Sequence, residues 1–172
     1  MNARVGAEHN AGAATLHLRP ERPDDLQFLF DLYASTRADE LDLTGWDSAA
    51  RANFLTMQFS AQQSHYRTHH PQTKFDIVEL DGLPVGRLYV RRGGDREVVL
   101  MDIALLPAFR NKGIGSELLG ALIDESVAAR KVLTLHVETN NPRAHEWYTR
   151  FGFVDVETKA IHILMRREPN ER

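Results

Sequence analysis

The sequence predicts an α/β fold in a single domain: a central mixed, largely antiparallel sheet of about six to seven strands, flanked by about four helices. Three observations predict it. The chain has 172 residues, which is enough for one hydrophobic core and too short for two. Its apolar spacing changes from helical to alternating after Pro71. A strand, a helix and another strand then follow Gly94, which is the pattern of a parallel crossover.

The first part of the chain predicts one strand and two helices. Residues 15–19 alternate apolar and polar side chains, as a half-buried strand does. A helix is expected to start at Asp24 or Asp25, and its periodicity breaks between Ala38 and Ser48. A second helix is expected from about Ser48 to Pro71, since a proline disfavours helix in the residue before it.

The remaining elements predict the sheet and two further helices. Asp81-Gly82 lies between two alternating segments, which is a strong hairpin signal. Residues 98–106 are nearly all apolar and predict a central strand buried on both faces. The other expected elements are a helix over 113–130, a strand over 132–137, a short helix over 142–150, and strands near 153–156 and 161–165.

Composition excludes several classes of protein. The formal charge is −3 and the basic residues are scattered, so we expect no nucleic-acid partner. The absence of cysteine excludes disulfides, thiolate metal sites and a cysteine nucleophile. No apolar run is long enough for a secretory signal or a membrane helix, so we expect a cytoplasmic protein without a membrane partner. Residues 1–14 are expected to be disordered, and residues 15–168 to form the domain.

The segment Arg110-Asn111-Lys112-Gly113-Ile114-Gly115 predicts an anion site. It follows a strand and opens a helix, whose first turn presents unpaired N–H groups and a partial positive charge. A Walker A loop would need a different glycine spacing and a Gly-Lys-Ser/Thr ending. A Rossmann fingerprint would need a third glycine at Leu118. The ligand is therefore expected to carry a phosphate or pyrophosphate, but the loop matches neither of these two nucleotide-binding motifs.

In this context the sequence resembles the GNAT superfamily of N-acetyltransferases. The resemblance is carried by Arg-x-x-Gly-x-Gly at 110–115, Asn-x-x-Ala-x-x-x-Tyr at 141–148 and Phe-Gly-Phe at 151–153. It implies that the chain uses acetyl-CoA as cosubstrate and transfers the acetyl group to a primary amine. It also implies roles for individual residues. The cofactor-binding set is Ile103, Ala104 and Leu105 for the pantetheine arm, Arg110, Asn111, Lys112, Gly113, Ile114, Gly115 and Ser116 for the pyrophosphate, and Asn141, Ala144 and Tyr148 on the later helix.

The resemblance also suggests catalytic residues. Tyr148 would stand beside the thioester sulfur and act as general acid, while the Leu105 amide would hold the oxyanion. For the general base, Val99 occupies a position where some relatives carry Glu, and valine cannot accept a proton. His136, with an ordinary pKa of about 6.5, and Asp102, an acidic residue in an apolar strand, are the candidates, and a water relay is the third. Asp102 as an acceptor for loop amides and His136 as a solvated residue remain the structural alternatives.

Two other clusters of polar residues give weaker indications of a functional site. His65, His69 and His70 include an i, i+4 pair, but no further ligand falls in register, so we expect an exposed polar face and no metal. Four carboxylates surround Trp46 between the first two helices: Asp39, Glu40, Asp42 and Asp47. They suggest an acidic loop that attracts a cationic amine, with a solvated charge run as the alternative.

Other functions stay open at this point. The chain could be a non-catalytic acyl-CoA-binding sensor, or a transferase of a longer acyl group. The acceptor could be a small amine, an amino acid, an antibiotic or a protein N-terminus. A homodimer is compatible with the resemblance, because many relatives dimerise.

Overall fold

A computed structural model describes residues 14–170. The expectation of disorder for residues 1–14 falls almost entirely outside this range. The strands are β1 Leu16–Pro20, β2 Thr73–Leu80, β3 Leu83–Arg91, β4 Glu97–Leu105, β5 Val132–Glu138, β6 Val154–Lys159 and β7 His162–Arg167. The helices are α1 Leu26–Asp42, α2 Ser48–His69, α3 Ile114–Ala128 and α4 Pro142–Arg150, with short 3-10 turns at Pro23–Asp25 and Pro107–Phe109.

The strands form one seven-stranded sheet in the order β1-β2-β3-β4-β5-β7-β6. Every neighbouring pair is antiparallel except β4 and β5, which are parallel and are joined through α3. This confirms the predicted mixed, largely antiparallel sheet with four helices. None of the helices in residues 14–170 combines the length and hydropathy needed to cross a lipid bilayer.

The sheet separates two apolar layers. Alternating residues of β3, β4, β5 and β7 pack against α3 and α4. Leu133 of β5, Met165 of β7 and Leu119 of α3 are fully excluded from solvent. On the other face, Leu29 and Tyr33 of α1 and Phe59 of α2 pack against Ile77. Because successive strand residues point to opposite faces, polar side chains at alternate positions of β3, β4 and β5 face α1 and α2.

Two expectations about individual elements were wrong in detail. The periodicity of α1 does not break at Ala38, because Leu41 is buried and extends the helix to Asp42. β4 is buried on both faces only over Val98–Leu100. Its second half is partly exposed, because β5 pairs with β4 only over Glu97–Leu100 and then diverges from it.

A close contact of backbones holds β3 against the second half of β4. Gly86 is opposite Leu105, and a Cβ added at Gly86 would overlap the backbone oxygen of Ala104 and lie 2.6 Å from Leu105 Cδ2. Only glycine allows this approach without moving the strand.

We predict that Gly86→Ala lowers the free energy of unfolding by about 1–3 kcal/mol, because overpacking forces the two strands apart. The measurement is urea unfolding followed by circular dichroism. Gly120→Ala in α3 is the matched control, since its added Cβ meets nothing within 4 Å. The control is expected to gain up to about 1 kcal/mol from helix propensity. Equal stability of the Gly86→Ala and wild-type proteins would contradict the prediction.

Candidate active site

Two cavities meet where β4 and β5 diverge. The first, of about 600 Å³, lies between the second half of β4, the loop before α3, and α4. The second, of about 470 Å³, lies on the face of the sheet covered by α1 and α2. Four residues line both cavities: Thr36, Ile103, Ala104 and Asn141. A molecule in one cavity can therefore reach a molecule in the other through the opening between the strands.

The diverging strands leave backbone groups of β4 without a strand partner. The Leu106 amide donates to Val85 O, at 2.9 Å. Since bonded and non-bonded pairs alternate along an antiparallel ladder, the amides of Leu105 and Ile103 point away from β3. β5 does not pair with β4 at this level. The first cavity therefore offers an open strand edge to an extended ligand.

The loop before α3 has the conformation of an anion site. Asn111 and Gly113 adopt left-handed backbone angles, with φ of +58° and +85°. Gly113 is the N-cap of α3, and its carbonyl accepts from the Glu117 amide. The turn therefore directs consecutive N–H groups and the positive end of α3 toward the first cavity.

The side chain of Arg110 stabilises this loop. Its Nε donates to Leu105 O at 2.8 Å, and a terminal nitrogen donates to the Ser35 hydroxyl at 3.2 Å. Two other residues of the predicted set have side chains outside the cavity lining. Lys112 Nζ lies 5.6 Å from the centre of the Phe109 ring, and Ile114 is buried in the core. In this arrangement neither side chain faces the first cavity.

The later helix supplies Asn141, Ala144 and Tyr148 to the first cavity, as the sequence predicts. Asn141 Oδ1 accepts from the Ala144 amide at 3.1 Å and caps α4, which leaves the side-chain NH₂ group to donate. Tyr148 is 8% exposed, and its ring lies 4.9 Å from that of Trp147. Burial, and then the Asp102 carboxylate, raise the pKa of the Tyr148 hydroxyl above its ordinary value, so the group stays protonated.

Asp102 lies in the second cavity and is held by two side chains. Its Oδ2 accepts from Arg87 at 2.6 Å and is 3.5 Å from the Tyr66 hydroxyl. Arg87 is only 2% exposed and also donates to Gln62. The suggested acceptance from loop amides is therefore wrong, because the partners of Asp102 belong to a strand and a helix.

His136 also lines the second cavity, on the face of β5 away from the core, as its alternation with Leu135 and Val137 predicts. Its ring centre is 6.5 Å from that of His162 on the neighbouring strand. Partial burial, and then the neighbouring His162 and Lys159, lower the pKa of His136. Glu157 raises this pKa, but by less than the other effects lower it. The imidazole is therefore neutral at neutral pH.

Two more histidines reach this cavity from the end of α2. His65 and His70 line it, while His69 stacks on His65 with ring centres 4.5 Å apart. The expectation of an exposed polar face is confirmed for His65 and His69 and is wrong for His70, which is partly buried. In the part of the chain that the structure describes, no group of three or more acidic, histidine or cysteine side chains is arranged to hold a metal ion.

The acidic loop does not border the second cavity. Asp42 pairs with Arg51 at 2.7 Å, and Asp47 caps α2 by accepting from the Ala50 amide. Glu40 pairs with Arg37 on the same helix. These three carboxylates are engaged locally and, like Asp39, are not among the lining residues. The attraction of an amine to this loop stays a prediction.

Several lining residues were not expected from the sequence. In the first cavity these are Arg143, Trp147 and Arg150, whose i, i+4, i+7 spacing on the helix that starts after Asn141 could have revealed them. In the second cavity Arg87 could have been noticed as a charged residue among apolar neighbours in β3, as Asp102 was in β4. Tyr66, Glu138 and His162 line the second cavity only because elements that are distant in the sequence pack together.

Comparisons with known proteins agree with this architecture. No curated protein matches the sequence. Among solved structures, the fold resembles the PaiA N-acetyltransferase from Thermoplasma acidophilum in complex with coenzyme A, with a TM-score of 0.66, 16% identity, and 90% of this chain and 99% of that chain covered. It also resembles an acetyltransferase from Thermus thermophilus, with a TM-score of 0.65, 18% identity, and 90% of this chain and 97% of that chain covered.

A chimera of the Vibrio cholerae spermidine N-acetyltransferase SpeG gives a TM-score of 0.60 at 18% identity, with 90% of this chain and 95% of that chain covered. At these identities the structures show the fold alone. The sequence profile of the acetyltransferase (GNAT) family matches residues 26–153, which is most of the chain. The chain therefore belongs to the GNAT family and is an acetyltransferase.

Proposed function

We propose that the protein transfers the acetyl group of acetyl-CoA to a primary amine by direct attack. The observation that carries this proposal is the meeting of the two cavities at Ala104 and Asn141. A thioester at the inner end of the first cavity would lie within reach of an amine in the second. No covalent intermediate on the protein is needed, because donor and acceptor can be bound together.

The donor is proposed to bind along the open edge of β4. The amides of Ile103 and Leu105 would pair with the pantetheine arm, and the Asn141 amide group would donate to it. The amides of residues 111–116 would hold the pyrophosphate at the start of α3. Arg110 would act indirectly, by fixing the loop against Leu105 and Ser35.

The acceptor amine must lose a proton, since an alkylammonium has a pKa of about 10.4. We propose His136 as the base, directly or through one water, because it is neutral and open to the second cavity. Asp102 is proposed to bind the ammonium group instead. Both of its hydrogen bonds are made through Oδ2, so Oδ1 can accept from the amine.

In the proposed reaction, His136 first takes one proton from the ammonium group and passes it to solvent. The neutral amine attacks the thioester carbon, and the Leu105 amide stabilises the oxyanion. The carbon–sulfur bond breaks, and the departing thiolate takes a proton from the Tyr148 hydroxyl. The nitrogen becomes positively charged on attack and gives its second proton to His136, which passes it to solvent. Solvent restores the proton of Tyr148, so one proton is released overall. Since burial raises the pKa of Tyr148, transfer of its proton must accompany cleavage of the carbon–sulfur bond.

We predict that a thiol-release screen of amines finds an acceptor for the wild-type protein, and that Tyr148→Phe lowers kcat for that acceptor by about a hundredfold, the lower end of the range for general acid catalysis. Affinity for acetyl-CoA, measured by calorimetry, should stay within about twofold, since the ring remains in place. Full activity of the variant would contradict the role of Tyr148. Binding of acetyl-CoA without thiol release for any amine would favour a sensor.

We further predict that kcat/KM falls on acidification with a midpoint below about pH 6.5, the ordinary pKa of histidine. His136 must be neutral to accept a proton, and its pKa is lowered from the ordinary value. Activity is therefore retained above that midpoint and lost as His136 becomes protonated. His136→Gln should lower the rate and remove this limb of the profile. His17→Gln, at an exposed histidine of β1, is the control that should leave the profile unchanged. An unchanged limb in His136→Gln would exclude His136 as the base.

A further inference from the structure

Two arginines of α4 line the first cavity without an acidic partner. Arg143 and Arg150 are both exposed, and within residues 14–170 neither takes part in an ion pair. With Trp147 they occupy positions i, i+4 and i+7, so all three lie on the same side of the helix. The arginines are about 10 Å apart along the helix axis, a distance that two long side chains can bridge around one anion.

The other cations of this region are already engaged or turned away. The Arg110 guanidinium is held by Leu105 O and the Ser35 hydroxyl. Lys112 lies over the Phe109 ring and is not among the lining residues. Arg143 and Arg150 are therefore the charged groups of the described lining that remain available to a ligand.

The proposed donor carries more negative charge than the loop before α3 can neutralise. Coenzyme A has a pyrophosphate and a separate phosphomonoester on the ribose 3′ position. Backbone amides and the α3 dipole suit the pyrophosphate, whose two charges are spread over adjacent groups. The phosphomonoester carries about −1.5 to −2 at neutral pH, and guanidinium groups bind such a group through paired charge-assisted hydrogen bonds.

Arg143 is already placed close to the pyrophosphate loop. Its terminal nitrogen donates to Asn111 Oδ1 at 2.7 Å, which joins the start of α4 to the loop. This partner is a neutral amide, so the contact fixes the side chain without neutralising its charge. Trp147 lies between the two arginines and also approaches Gly115, since a Cβ added there would be 3.5 Å from the indole ring. The helix face therefore continues the cofactor cleft outward from the loop.

We propose that Arg143 and Arg150 bind the 3′-phosphate of coenzyme A and make the protein select coenzyme A over 3′-dephospho-coenzyme A. The inference rests on the proposed function, which places coenzyme A in the first cavity. It adds a specificity determinant on α4, outside the residues that the sequence motifs identified.

The test compares the affinities of coenzyme A and 3′-dephospho-coenzyme A by calorimetry, so it needs no knowledge of the acceptor. The wild-type protein is expected to bind coenzyme A at least about tenfold more tightly, the effect of one hydrogen bond to a charged group. Arg143→Gln and Arg150→Gln should each reduce this ratio, and the double variant should bring it close to one. Arg143→Lys should keep more of the preference than Arg143→Gln, because lysine keeps the positive charge but cannot form the paired hydrogen bonds of a guanidinium group.

Arg96→Gln is the matched control, because it removes an equal charge at an exposed turn before β4, away from the cavity lining. The control should keep the wild-type ratio. Equal affinity of the wild-type protein for both ligands, or a preference that survives in the double variant, would overturn the proposal. A loss of affinity that is equal for the two ligands would place the arginines on the pyrophosphate and overturn it as well. If neither ligand binds, the proposed function falls together with this inference.

Discussion

The structure depends on the short pairing of two parallel strands. β4 and β5 share register only over Glu97–Leu100 and Val132–Leu135. Beyond that point each strand keeps only its partner on the other side, which is β7 for β5 and β3 for β4. A continuous ladder would satisfy the amides of Ile103 and Leu105 and would close the opening through which the two cavities meet. The divergence thus creates both an open strand edge and a passage through the sheet.

Maintaining an open sheet requires rigid support around it, and the molecule provides this on both faces. On one face, Gly86 lets β3 approach Ala104 closely, while Arg110 ties the end of β4 to α1 on the other. On the face covered by α1 and α2, the nearly buried Arg87 also pairs with Asp102 across β3 and β4. Removing one partner of such a pair leaves a charge with little solvent, a cost usually larger than the net gain from making the pair. Both interactions hold the second half of β4 in place where β5 cannot.

The fold was predictable because its signals are local. The Asp81-Gly82 turn, the helical spacing after Gly113 and the prolines at element ends each act over a few residues. The conformation of the loop before α3 was predictable for the same reason, since it depends on Gly113 and the first turn of α3. The second cavity was not predictable from the sequence. Tyr66, Arg87 and His162 come together only when α2 packs on the sheet and β7 pairs with β5. A pattern read along one segment carries no information about such packing.

The passage between the cavities also affects how turnover can proceed. The first cavity is bounded by the α3 loop and α4, while the second lies under α1 and α2 on one face of the sheet. In the proposed reaction, the free thiol and the new amide would form at the junction and leave in different directions. Neither product would block the exit of the other, and a new acceptor could enter while the spent cofactor is still bound. The architecture thus favours a ternary complex whose two halves exchange with solvent independently, so the order of release would follow from the two affinities and not from steric obstruction.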